Sequence, residues 1–460
     1  MGSEHTRARA GFPHGDHEFR EAPIDDFSTD FGGLRYAVPR AVHRMPSAFP
    51  SALLGSGRQL TLRGAGHSSD GQTVTEGELL VTYAPESAAA QVRDLGDGLI
   101  EVPAGMSWYG LERYLNRRGA AFPVLPDYLQ LSVGGTLSVG GIGIDSVRSG
   151  MQVDHVERIQ LIDGTGTSRW CSRTDHSELF RFALGGSGTV GLIERAVLRT
   201  VPYRRDTHLH RTRHDTTAEL AEHTERMALR DDIDIFYASI RHGVVQTTTG
   251  WRGSGPKRCG DADCAIVADL SLRGNYGTAR TVAPPAGHAR LCADYIVPAG
   301  QLAPLLAAVD ALRHLDALDR GLELLWILIV HRSSDATAFP FTPVGSAPVS
   351  IAVGFCTSLH REFAAVDATR TALRGLLERC LELGGRPYLY GFDVLDAAPA
   401  ERLYGADLAR LAQLRSAHRL DHVNAHHPLV RATVSAPPDS AHSPAAANDG
   451  KPDDRTSRSE

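Results

Sequence analysis

A histidine and a serine follow two glycines in the segment RGAGHSSDGQ, which covers residues 63–72. Glycine adopts positive φ and leaves the backbone open, so successive N–H groups of such a turn can bind a phosphate. His67 would then lie beside the bound group, and a neutral imidazole is a nucleophile near neutral pH. The segment therefore predicts a phosphate-binding turn with a reactive side chain next to it. For one glycine cluster alone, an ordinary hairpin turn remains the alternative.

Two more glycine-rich stretches follow, SVGGTLSVGGIG at 132–143 and LGGSGTVG at 184–191. The third stretch has the G-x-G-x-x-G spacing of a dinucleotide-binding loop. That loop needs a strand before it and a helix after it, whereas here a helix-like segment precedes and a strand-like segment follows. The third stretch is therefore not predicted to be a Rossmann loop. Three glycine loops together fit an elongated ligand with a pyrophosphate and a planar ring, which is the shape of a flavin dinucleotide.

Short strands and short helices must position the glycine loops. Residues 27–202 carry β-like runs, with helix-like pieces near 107–119 and 177–184, and residues 203–384 alternate strands with longer helical stretches. Both patterns predict α+β domains. Residues 385–434 are too short for a domain and are predicted to pack back on the first one. Residues 1–26 and 435–460 are polar and without pattern, and are predicted to be disordered.

Composition limits the classes of partner. The chain has 460 residues, 42% of them hydrophobic, and a net charge of -6, so it is predicted to hold two domains and to bind neither nucleic acid nor a membrane. No apolar run approaches a membrane span or a signal peptide, which predicts a cytoplasmic protein. The six cysteines lack the density of a disulfide framework, so reduced thiols are expected. For Cys259 and Cys264 a loop is favoured over a metal site.

Four segments together resemble cytokinin dehydrogenases, of the vanillyl-alcohol-oxidase-type (PCMH-type) FAD-binding superfamily. Besides RGAGHSSDGQ they are TDFGGLRYAVPRAVHRMPS, PDYLQLSVGGTLSVGGIG and ELFRFALGGSGTVGLIERA, in the family's order and spacing. The resemblance covers residues 30–202 and returns at RPYLYG and LDHVNAHHPLV. It implies an α+β, two-domain vanillyl-alcohol-oxidase-type fold. An FAD-binding domain at 27–202 would be joined to a substrate domain at 203–384, with an antiparallel sheet flanked by helices, and 385–434 would return to the FAD domain.

The resemblance also implies roles for individual residues. His67 matches the histidine that is bonded to the 8α-methyl group of FAD, and Tyr128 stands where relatives with a second flavin link have a cysteine. Asp127 matches the active-site aspartate, which takes the substrate proton as hydride leaves for the flavin. Gly135 matches a glycine against the flavin ring, where dioxygen could approach. The implied FAD-binding residues are Gly64, Ala65, Gly66, His67, Ser68, Gln72, Asp127, Ser132, Gly135, Ser138, Ile142, Ile193, Tyr388 and His427.

The departures from the family concern the substrate. Tyr237 aligns with a family glutamate, so Asp127 and Tyr237 are the predicted substrate contacts, and His427 begins the segment that replaces the family's closing P-G-Q. Oxidation of an amine C–N bond is the first hypothesis, an alcohol or sugar carbon is the second, and a flavin-binding module without turnover is the third. The expected partners are a small-molecule substrate and a dioxygen or quinone acceptor, in a monomer or homodimer. No metal is predicted, because His422, His426 and His427 follow a helix, where capping side chains are ordinary.

Overall fold

The structure is a computed structural model, and it describes residues 20–21, 27–45, 51–83, 91–253, 263–273, 287–313, 321–332, 337–392 and 397–435. It mixes helices with largely antiparallel sheets, so the predicted α+β class is confirmed. Residues 20–21 are predicted to be disordered but form a short strand paired with Arg44 and His43. The last helix reaches Ser435, the first residue of the predicted disordered tail. The rest of both terminal segments lies outside the described residues.

The strands, in chain order, are β1 Arg20–Glu21, β2 Ala41–Met45, β3 Leu60–Arg63, β4 Leu79–Tyr83, β5 Arg93–Gly96, β6 Leu99–Pro103, β7 Ala120–Ala121, β8 Val156–Ile162, β9 Ser168–Ser172, β10 Leu192–Arg199, β11 Val201–Pro202, β12 Asp206–His214, β13 Ile235–Arg241, β14 Val244–Arg252, β15 Cys264–Ala268, β16 His288–Ala289, β17 Cys292–Pro298, β18 Leu322–His331, β19 Val349–Thr357, β20 Leu359–His360 and β21 Arg386–Pro387. The α-helices are α1 Ser51–Leu54, α2 Trp108–Asn116, α3 Val133–Leu137, α4 Ser146–Ser149, α5 Ser177–Ala183, α6 Thr217–Ala228, α7 Leu270–Arg273, α8 Leu302–Arg313, α9 Phe363–Glu382, α10 Ala397–Ala417 and α11 Pro428–Ser435.

The first part of the chain forms two larger sheets and the two-stranded sheet of β7 and β11. A four-stranded sheet has the order β1-β2-β4-β3, and β4 pairs in parallel with both β2 and β3. A five-stranded antiparallel sheet has the order β5-β6-β10-β8-β9. Helix α2 starts where the sequence predicts, because the Ser107 hydroxyl accepts a hydrogen bond from the Gly110 amide at 3.2 Å and caps its first turn.

The second part forms an eight-stranded antiparallel sheet with the order β15-β12-β14-β13-β18-β19-β17-β21. Side chains alternate between the faces of a strand, so each strand contributes to two environments. On one face, residues such as Phe236, Ile327 and Val353 pack in one core with side chains of α6, α8 and α9. Their sequence neighbours, such as Tyr237 and Trp326, line a cavity on the other face.

The last described segment returns to the first sheets. The Leu60 amide donates to the His422 carbonyl at 2.9 Å, and the Asn424 amide donates to the Leu60 carbonyl at 2.9 Å. Helices α10 and α11 add Leu408, Leu411 and Leu429 to a core that also includes residues of β6, β8 and β10. The chain end thus adjoins β3, the strand that leads into the first glycine turn.

Cys264 corrects two expectations. It begins strand β15 rather than lying in a loop, and it is disulfide-bonded, whereas reduced thiols were predicted. Nothing in the sequence indicated that Cys264 begins a strand that pairs with β12. Cys259 lies outside the described residues. Free thiols are found at Cys171, Cys292, Cys356 and Cys380. No helix in the described ranges is long and apolar enough to cross a bilayer.

Candidate functional site

A cavity of about 520 Å³ lies between the glycine loops of the first sheets and one face of the eight-stranded sheet. This is the size range of pockets that hold small molecules and cofactors. The structure brings together all fifteen residues predicted for the site, and each of them lines this cavity: Gly64, Ala65, Gly66, His67, Ser68, Gln72, Asp127, Ser132, Gly135, Ser138, Ile142, Ile193, Tyr237, Tyr388 and His427.

The first glycine turn directly follows β3. Gly66 has φ +76°, and the Arg63 guanidinium lies where a Cβ of residue 66 would stand. The carbonyls of Gly64 and Ser68 accept hydrogen bonds from the Thr82 hydroxyl at 3.3 Å and the Phe31 amide at 3.2 Å. The four amides from Ala65 to Ser68 donate to no acceptor in the described part of the chain. The turn therefore offers four successive amide donors, which suits an anionic group such as a pyrophosphate.

The second glycine stretch packs against the first, backbone to backbone. A Cβ added to Gly64 would lie 2.6 Å from the Ser132 hydroxyl, and one added to Gly135 would lie 2.8 Å from the same oxygen. Gly135 lines the cavity, but its Cβ direction points at Ser132 and Gly64, so the missing side chain permits the contact between the loops, and the approach of dioxygen at this glycine stays a prediction. The Ser132 hydroxyl is itself buried and has no hydrogen-bond partner among the described residues.

The third glycine stretch lies between α5 and β10, so the predicted helix-before, strand-after order is confirmed. Its Ser187 amide donates to the Ser138 carbonyl at 2.6 Å, which ties the third stretch to the second. The Ser187 hydroxyl is a second buried oxygen that finds no partner within the described ranges. Buried polar groups are nearly always hydrogen-bonded in the functional state, so both hydroxyls fit a polar ligand, and the four amides belong to residues that line the same cavity.

His67 lies among aromatic rings. Its imidazole centroid is 3.9 Å from that of Phe31 and 5.5 Å from that of Tyr128, and Tyr390 is stacked further away at 6.5 Å. Burial, and next the positive charge of Arg290, lower the pKa of His67 to about 4. The imidazole is therefore neutral at physiological pH and keeps a lone pair on one ring nitrogen.

Asp127 and Tyr237 face the cavity from opposite parts of the chain. Asp127 lies in the connection between β7 and α3, where its surface is exposed and lines the cavity, and desolvation by the surrounding protein raises the pKa of its carboxyl. Tyr237 lies on β13, and burial followed by the nearby charge of Asp127 raises the pKa of its phenol to about 12. The phenol is therefore a hydrogen-bond donor at neutral pH, and the carboxylate is an acceptor with no ion pair in the described structure.

Four of the predicted FAD-binding residues form hydrogen bonds within the protein. The Gln72 amide donates to the Gly391 carbonyl at 2.8 Å, so Gln72 connects the glycine turn with the segment after β21. Tyr388 accepts from the Gly141 amide at 3.1 Å, and Ser138 donates to the Gly134 carbonyl at 2.7 Å. The His427 Nδ1 accepts from the Leu429 amide at 3.2 Å. These four residues line the cavity and also hold its walls.

The other two histidines of the segment 422–427 also have protein partners. His422 bonds to the Leu54 carbonyl at 2.7 Å and His426 to the Gln72 carbonyl at 3.2 Å. Among the residues that the structure describes, no group of three or more histidine, cysteine or acidic side chains could hold a metal ion.

Several cavity residues were not predicted. Asn424, at φ +49°, accepts from the Leu62 amide at 2.8 Å and donates to the Gly188 carbonyl at 3.0 Å, which joins β3 to the third glycine stretch. An asparagine shortly after a helix is a known signal for positive φ and could have indicated this position. The remaining cavity residues of the eight-stranded sheet, here called the sheet wall, are Arg241, Glu323, Leu324, Trp326, Leu328, Cys292 and Cys356, together with Tyr237.

Comparison with known proteins identifies a similarity in the part of the chain that carries the first two glycine stretches. Residues 52–172 match the family model of an FAD binding domain, a range that includes the first two glycine stretches and Asp127. This part of the chain is similar to FAD binding domains. The predicted binding of FAD is thereby confirmed, and the unpaired amides and hydroxyls of the loops fit it.

The relatives agree with the predicted resemblance. The chain is 36% identical over 178 residues to an uncharacterised oxidoreductase of the fasciation locus of Rhodococcoides fascians, covering 37% of this chain and 39% of that protein. It is 31% identical over 242 residues to cytokinin dehydrogenase 4 of Oryza sativa subsp. japonica, covering 49% and 45%. It is 32% identical over 238 residues to cytokinin dehydrogenase 2 of Arabidopsis thaliana, covering 49% and 47%. The sequence is therefore cytokinin dehydrogenase-like, and the aligned part spans less than half the length of each relative.

Proposed function

We propose that the protein is an FAD-dependent oxidoreductase that removes a hydride from a small-molecule amine at a C–N bond, with dioxygen or a quinone as the electron acceptor. We further propose the two-domain vanillyl-alcohol-oxidase-type organisation, with an FAD-binding domain at 27–202, a substrate domain at 203–384 and a C-terminal return at 385–434. The FAD-binding domain and the cytokinin dehydrogenase-like sequence support the cofactor and the reaction class.

The observation that carries the proposal is the placement of Asp127 and Tyr237 in the same cavity as the three glycine loops. FAD, when bound, supplies the hydride acceptor. Asp127 accepts the proton of the substrate N–H, because its carboxylate faces the cavity and no cation of the described chain neutralises it. Tyr237 donates a hydrogen bond and orients the substrate, since its raised pKa keeps the phenol protonated.

His67 is proposed as the covalent attachment point of FAD. Burial keeps its imidazole neutral, which leaves a nitrogen able to form a bond to carbon, and its position in the cavity-lining glycine turn supports the assignment. Phe31 and Tyr128 restrict the ring from its sides, so the imidazole is held in one orientation.

The test is a panel of primary and secondary amines, alcohols and sugars, mixed anaerobically with the yellow protein and scored by loss of the flavin absorbance. We expect bleaching by at least one amine class, and we expect it to slow strongly in Asp127→Asn. Bleaching by alcohols or sugars alone would replace the amine assignment with the alternative carbon substrate. A protein that carries flavin and is bleached by no member of either class would contradict turnover.

A further inference from the structure

Two cysteines lie side by side in the sheet wall. Cys292 on β17 and Cys356 on β19 are direct cross-strand partners in the antiparallel ladder, and their sulfur atoms are 3.2 Å apart. Both side chains line the cavity. Neither has a role in the proposed flavin or substrate chemistry.

The backbone at this pair already meets the requirement of a disulfide. Directly opposite residues of an antiparallel pair have Cα atoms about 4.5–5.5 Å apart, and disulfides span Cα separations of about 4.4–6.8 Å. Cys292 is also held firmly, because its carbonyl accepts from the Phe392 amide at 2.5 Å and the Ser69 hydroxyl at 3.2 Å. Closing a bond between the two sulfurs therefore needs side-chain rotation and no strand movement.

The two thiols are not equivalent. Cys292 is 3% exposed, whereas Cys356 is partly accessible from the cavity. The neighbouring Cys356 sulfur, followed by burial, raises the pKa of the Cys292 thiol, and either sulfur can donate the hydrogen bond between them. Because it is the more accessible of the two, Cys356 is the sulfur that an oxidant in the cavity reaches first.

The remaining free cysteines of the described chain provide a contrast. The Cys380 thiol donates to the backbone carbonyls of Ile296 and Arg386, and the Cys171 thiol donates to the Arg169 carbonyl. Both are buried, and neither lines the cavity. They serve as internal references for reactivity.

We propose that Cys292 and Cys356 form a hydroperoxide-sensitive dithiol site in the cavity wall. The Cys356 thiolate attacks one oxygen of hydrogen peroxide, which breaks the O–O bond, gives the sulfenic acid of Cys356 and, with one proton, releases water. Cys292 then attacks the Cys356 sulfur, its proton leaves with the hydroxyl as a second water, and the disulfide forms. The two sulfurs lose two electrons in total, and one peroxide is reduced to two waters.

This inference goes beyond the proposed oxidoreductase function and does not need it to be correct, because the oxidant can be added from outside. If the reduced cofactor passes electrons to dioxygen, peroxide arises in the same cavity and the dithiol is its first protein target. Oxidation would then record turnover in the wall that faces the substrate.

The test treats the reduced full-length protein with a small excess of hydrogen peroxide, quenches it with an alkylating agent and maps the peptides without reduction. We expect a Cys292–Cys356 cross-link and free Cys171 and Cys380. Retention of both cavity thiols, or oxidation no faster than that of Cys380, would overturn the proposal.

Single variants test the direction of the reaction. In Cys292→Ser, Cys356 should be trapped as a sulfenic acid and captured by a cyclic 1,3-dione, whereas in Cys356→Ser, Cys292 should remain a thiol. Cys380→Ser is the matched control, because it also replaces a buried thiol, and it should form the cross-link as the unaltered protein does. Capture of Cys292 in the Cys356→Ser variant would reverse the assignment of the attacked sulfur and contradict the proposed asymmetry. The substrate panel is scored on flavin absorbance, so its failure and the failure of the cross-link are separate results.

Discussion

At the scale of single residues, the neutral imidazole of His67 leads to a direct prediction. If His67 carries FAD covalently, acid-precipitated protein stays yellow and fluoresces in a denaturing gel. His67→Ala should release its flavin to the supernatant, because the remaining contacts are noncovalent. His176→Ala is a control, since that histidine is half-exposed at the start of α5 and does not line the cavity. Complete release of flavin from the unaltered protein would contradict the covalent link and leave FAD binding intact.

The raised pKa of Asp127 predicts that the rate of flavin reduction by substrate depends on pH. Burial raises its pKa, and the carboxylate must be ionised to accept a proton, so flavin reduction by substrate should slow as pH falls through a value above the ordinary aspartate range. Asp127→Asn should reduce the rate by roughly 10²–10⁴-fold, the contribution of one acid–base group, and should remove this limb of the profile. Stopped-flow reduction across pH 4 to 9 measures both effects. A variant with normal rate per flavin and lower flavin content would assign Asp127 a structural role.

At the scale of loops and helices, the close contact between the first two glycine stretches predicts a cofactor defect. In Gly64→Ala the new methyl group would meet the Ser132 hydroxyl at 2.6 Å, and overpacking of this kind costs about 1–3 kcal/mol. We expect a lower flavin content per protein, measured by absorbance after purification. Gly375→Ala is the matched control, because Gly375 is exposed on helix α9, no atom lies within 4 Å of its Cβ position and alanine favours helix. Equal flavin loss in both variants would show that the loop contact is not responsible.

Helix α2 predicts a pH dependence of stability. Glu112 is 2% exposed, and burial raises its pKa to about 7 despite hydrogen bonds from the Phe122 amide and the Ser271 hydroxyl. Because the folded-state pKa lies above the unfolded value of 4.5, ionisation of Glu112 opposes folding, and the penalty grows between pH 4.5 and pH 7. Relative to Glu112→Gln, the free energy of unfolding should fall by about 3 kcal/mol across that range, at 1.36 kcal/mol per unit of pKa. Denaturant titrations at both ends measure it, and a constant difference between the two proteins would contradict the assignment.

Some of the helices, loops and strands could be predicted from the sequence, and others could not. Helices α2 and α5 and the order around the third glycine stretch follow from local signals such as the Ser107 cap. Among the β-like runs of 27–202, strand β2 begins only at Ala41, because Pro39 has no N–H to donate to a ladder. The sheet wall had no local signal. Which of Trp326 and Ile327 faces the cavity depends on strand register across β13, β18 and β19, which is set by distant partners.

At the scale of the whole molecule, the cavity is built from both the early sheets and the eight-stranded sheet, so a bound flavin should stabilise them together. A ligand that binds the folded state at 100 times its Kd adds about 2.7 kcal/mol, or roughly 5–10 °C in Tm for units of this size. We therefore expect the flavin-free His67→Ala protein to melt lower and to recover on addition of FAD. Differential scanning fluorimetry measures the shift. An unchanged Tm with FAD present would show that the cofactor does not bridge the two parts.

Alternate residues in the strands of the eight-stranded sheet face different environments, so substitutions at them affect different parts of the protein. At Gly354 on β19, the Trp326 indole and the Asp294 carboxylate occupy the space that a side chain would need. The shape of the sheet wall therefore depends on few side chains. Residues of β13, β18 and β19 such as Tyr237, Trp326 and Cys356 line the cavity, whereas Phe236, Ile327 and Val353 pack with the helices of the other face. Substitutions at Leu324 or Arg241, which line the cavity outside both packed cores, can therefore reshape the substrate chamber without altering that helical core or the flavin cradle. A library confined to these positions would let substrate preference diverge while the cofactor chemistry is inherited unchanged.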